Sequence, residues 1–71
     1  MLKRGILKSF NSQSFTATVQ LAGNDRVYLE NIRVARNISA QEMIAGREVA
    51  ILSFNESNVR EAVVIAVYPA V

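Results

Sequence analysis

Apolar and polar residues alternate most cleanly between Phe15 and Leu21. Phe15, Ala17, Val19 and Leu21 share one side, and Thr16, Thr18 and Gln20 the other. A period of two predicts a half-buried strand. An earlier strand is predicted over Arg4–Phe10, ended by the turn formers Asn11-Ser12-Gln13-Ser14. A second turn falls at Ala22-Gly23-Asn24-Asp25, where Gly or Asn takes positive φ at little cost. The third strand, Arg26 to about Arg36, carries a fault. Val27 and Leu29 have one parity, Ile32 and Val34 the other. An extra residue near Glu30-Asn31 is needed for both pairs to reach one core, which predicts a bulge or tight bend.

Ser39-Ala40-Gln41-Glu42 has the form of a capping box, and Gly46 stands where a left-handed residue would end a helix. About two turns are predicted, with Met43 and Ile44 plugging one end of the sheet. A fourth strand over Arg47–Phe54 and a fifth over Ala62–Tyr68 follow, separated by Asn55-Glu56-Ser57-Asn58 and closed by Pro69. Neither has a polar face. Ala50, Leu52 and Phe54 oppose Val49 and Ile51. Ala62, Val64, Ala66 and Tyr68 oppose Val63, Ile65 and Val67. A small barrel takes one set inside, so the other is expected to be covered by the chain itself or to meet a partner. Parity alone leaves the choice open. With Val63, Ile65 and Val67 inside, the contact surface falls on Leu52, Phe54, Val64, Ala66 and Tyr68.

The expected fold is all-β: a single domain over residues 1–71, a small five-stranded OB-like barrel with one short helix between strands three and four. Short antiparallel strands close on themselves to remove exposed edges. An SH3-like barrel is the alternative, but it more often carries a 3₁₀ turn late in the chain.

Gly5-Ile6, the run Ile32-Arg33-Val34-Ala35-Arg36-Asn37-Ile38, Gly46-Arg47-Glu48-Val49-Ala50-Ile51 and Ala62-Val63-Val64-Ile65-Ala66-Val67 form a pattern over most of the chain. It resembles the small OB-like domains of phage and prophage tail or baseplate proteins. The resemblance lies in hydrophobic rhythm and glycine placement. It implies a structural or assembly module, as in a phage-like particle; a cytoplasmic site is the expectation from the lack of a targeting pattern and of cysteine.

Composition narrows the chemistry. The 71 residues include no Cys, His or Trp. Disulfides, thiol nucleophiles, Cys/His zinc sites and a nucleophile–histidine pair are thereby excluded. The scattered acids and three glycines form no Walker, dinucleotide or carboxylate-pair pattern. No enzyme activity, cofactor or metal is expected. Hydrophobic residues make up 51% and charged residues 20%, a globular balance. A chain this short buries only about 60% of its unfolded surface, so self-association is a physically motivated expectation. The longest apolar run, Ala62–Tyr68, is well under the roughly 20 residues of a membrane helix.

The net charge of +2 is spread along the chain. A single-stranded nucleic acid is the alternative partner, held by Arg26, Tyr28 and Arg33 on the polar side of strands two and three, with Tyr28 as a stacking platform and Lys8 of strand one extending the patch. Cover of the apolar hairpin by the Leu2 segment, by Met43 or by Val71 is the competing bland account.

Overall fold

A computed structural model describes residues 1–23, 27–55, 57, 58 and 60–69. Five strands, β1 (Leu2–Asn11), β2 (Thr16–Leu21), β3 (Tyr28–Val34), β4 (Glu48–Ser53) and β5 (Ala62–Tyr68), close into a barrel in the order β1-β2-β3-β5-β4. Four joints are antiparallel, including the β1–β4 closure, and β3–β5 is parallel. This all-β closed barrel is consistent with the OB-like form expected from the sequence.

Alternation dictates the core. Leu7, Val19, Ile32, Val49, Ile51 and Val64 are fully buried, with Ala17, Leu29, Val34, Met43 and Ala62 beside them. Burying each aliphatic side chain of Val, Leu or Ile size stabilises the fold by about 1.5–3 kcal/mol. Phe10, Phe15, Leu21 and Val67, each partly buried, pack against this cluster.

Three bulges keep the inward set inward while the strands bend. The one foreseen at Glu30-Asn31 is present: Ala17 pairs with Ile32 but Val19 with Leu29, and Asn31 takes a left-handed φ of 58°. A second lies at Lys8, between the pairs Leu7–Val19 and Ser9–Thr18. The third lies at Ile65, between Ile51–Val64 and Ala50–Ala66.

Between β3 and β4 the expected two-turn helix is instead a single 3₁₀ turn over Ala40–Glu42. Ser39 does cap it, its Oγ accepting from the Gln41 amide at 3.3 Å. Glu42 does not reach back. Its carboxylate meets Arg47 at 2.8 Å. The Gly46 amide donates to Leu7 O and the Leu7 amide to Arg47 O, both at 2.8 Å. These bonds to β1 outcompete a second helical turn that has little stability of its own. Met43 is buried as expected, whereas Ile44 stays exposed.

Candidate functional site

The bulge at Ile65 decides which residues form the outer surface of the last hairpin. Val64 is 0% exposed and belongs to the core. Its assignment to a contact surface is corrected: Ala62 and Val64 face inward, and the extra residue at Ile65 lets Val67 face inward too. Leu52, Ala66 and Tyr68 are half-buried on the outer side, and Phe54 is 70% exposed. Val63 and Ile65 join them there. The uniform apolar run Ala62–Tyr68 gave no polar mark from which to place the bulge.

Register arranges the outer side in rows. Leu2 pairs with Leu52, and Leu52 with Val63. Arg4 pairs with Ala50 and Ala50 with Ala66, while Ile6 pairs with Glu48 and Glu48 with Tyr68. Phe54 follows beyond the first row, its amide donating to Glu61 O at 2.8 Å. Leu2 does not cover this face but extends it, at 66% exposed. Met43 sits inside the barrel end, and Val71 lies outside the described residues.

The residues singled out for nucleic acid are dispersed. Tyr28, 48% exposed, pairs with Gln20 near one end of β3, while Arg33 pairs with Thr16 near the other. Exposed Glu30 lies between them along β3. Lys8 is exposed at the β1 bulge, and Arg26 lies outside the described residues.

The parallel joint makes a cleft that sequence spacing did not suggest. Pairing of Arg33 with Val63 brings β3 beside the β4–β5 hairpin. Asn31, Arg33, Phe54, Arg60, Glu61 and Val63 border a half-open hollow of about 690 Å³, floored by Ala62. Among the described residues the ion pair is Arg47–Glu42, and neither Arg33 nor Arg60 meets a described carboxylate within 4.0 Å. No cluster of His, Cys, Asp or Glu capable of holding a metal occurs among the described residues, and no described helix is long and apolar enough to cross a membrane.

Comparison of the chain with protein-family models, curated proteins and solved structures finds no match.

Proposed function

We propose that this chain is a non-catalytic assembly module that associates with a second copy of itself through the outer face of β1, β4 and β5. One observation carries the reading: the row Leu2–Leu52–Val63, flanked by Phe54 and Ile65, is apolar across three strands, and Leu2, Phe54 and Ile65 stay open to solvent. Contiguous apolar surface of this kind marks a contact site. Charge favours a like partner. Arg33 borders the face beside Val63 and Glu48 lies at its other end, so a two-fold axis near Ala66 would set each against its opposite. The resemblance to tail and baseplate domains supports the same class of role, within a larger particle.

Light scattering between about 10 and 100 µM tests it, a range in which a micromolar dimer would be populated. A mass above the 7.8 kDa of one chain is expected. Leu52→Asp should return that mass to the single-chain value. Thr18→Asp, on the β2 outer side, should leave it unchanged. A wild-type protein that stays at one chain across the range overturns the reading.

Single-strand binding is the second reading, favoured by the exposed ring of Tyr28 and the outward Arg33. It requires retention of an oligonucleotide at low salt that is lost with Tyr28→Ala.

A further inference from the structure

We propose that the cleft between β3 and the β4–β5 hairpin binds an extended peptide through a single carboxylate. The polar half of the argument is charge. Arg33 and Arg60 border the same hollow, and neither has a described carboxylate within ion-pair distance. Guanidinium groups match a carboxylate in planarity and donor spacing. Glu61 borders the hollow as well. Its negative charge leaves room for one anionic group and opposes a chain of phosphates.

The apolar half comes from Phe54, Ala62 and Val63, which offer a wall and floor for an aliphatic or aromatic side chain beside the carboxylate. A volume of about 690 Å³ lies within the ordinary range for ligand sites, about 300–1,000 Å³.

The backbone selects a peptide over other acids. β3 and β5 pair only at Arg33–Val63 and Val34–Val64. Before Arg33, β3 therefore has β2 on one side and no paired strand on the other. An added strand recruits main-chain hydrogen bonds along such an edge, while alternate side chains enter pockets. In this arrangement a residue at the Arg33–Arg60 end supplies the carboxylate, and its apolar neighbour packs on Phe54.

The experiment uses fluorescein-labelled, C-terminally amidated hexapeptides that alternate valine with serine, one central serine being replaced by glutamate or by glutamine. Their binding is read by polarisation on the wild type and on Leu52→Asp, so that contact between copies does not hide Phe54. The glutamate peptide should bind at least tenfold more tightly to both proteins. Arg33→Gln and Arg60→Gln should each weaken it about tenfold with an unchanged circular dichroism spectrum, and Glu61→Gln should tighten it. Equal affinity for the two peptides overturns the proposal, as does no saturation up to about 1 mM. Stronger binding of a dT15 oligonucleotide, lost with the same two arginines, assigns the cleft to nucleic acid and also overturns it. Phe54 and Val63 belong to both the association face and the cleft, so the peptide outcomes are judged on Leu52→Asp, and the oligomeric state is read separately by light scattering.

Discussion

Phe15 and Asn31 hold their backbones at φ of 55° and 58°, a region that suits asparagine far better than phenylalanine. Asn31 tolerates it at a bulge. Asn31→Gly should therefore be nearly neutral in urea unfolding, while Asn31→Ala should cost about 1 kcal/mol. Phe15 is kept there by its ring, which meets Phe10 edge-on with centroids 5.1 Å apart and lies 4.9 Å beneath the Arg36 guanidinium. An aromatic pair adds about 0.5–1.5 kcal/mol beyond burial, and a cation over a ring about 0.5–1 kcal/mol at exposed sites. Together they offset a left-handed penalty of about 1–2 kcal/mol. Phe15→Gly relieves the backbone but removes the ring, so the urea midpoint is expected to fall rather than rise. Gly5 answers to a different constraint. A Cβ there would sit 2.5 Å from Val19 Cγ1 and 2.8 Å from Gln20 O. Gly5→Ala should destabilise by about 1–3 kcal/mol, by forcing β1 from β2.

Strands were legible where the side-chain pattern had contrast. β2 announced itself through its threonines, and the β3 bulge through Glu30 and Asn31, which separate two apolar pairs of opposite parity. β5 had no such contrast, and Val64 could not be told from its neighbours until the ladder to β4 fixed its register. The capping box was visible, but the helix it promised yielded to hydrogen bonds with β1, residues some forty positions away in the chain. Within the cleft, Arg33 and Phe54 each drew notice separately. Their meeting depends on a parallel joint between distant segments, which no local turn encodes. The bulge assignment makes a prediction of its own. Deleting Ile65 leaves Val64 and Val67 on the same inward side, so a folded barrel with a lower melting midpoint is expected by circular dichroism. Val64→Asp buries a charge among Ile32, Val49 and Ile51, and no cooperative thermal transition is expected.

The whole molecule exposes 4673 Å². A standard interface takes about 800 Å² from each partner, about a sixth of that surface, so one face of the barrel is enough. The five strands close on one another, so the proposed contact would lay side chains against side chains and leave the ladder intact. Closure itself is uneven. β1 and β2 are laced along most of their length, whereas β3 and β5 are fastened at Arg33–Val63 and Val34–Val64 alone. That fastening works as a clasp: thermal fluctuations that breathe the cylinder open begin there, because fewest bonds must part. Deuterium should accordingly replace the Ala35 amide proton, bonded to Val64 O at 2.9 Å, sooner than the amide protons that lace β1 to β2.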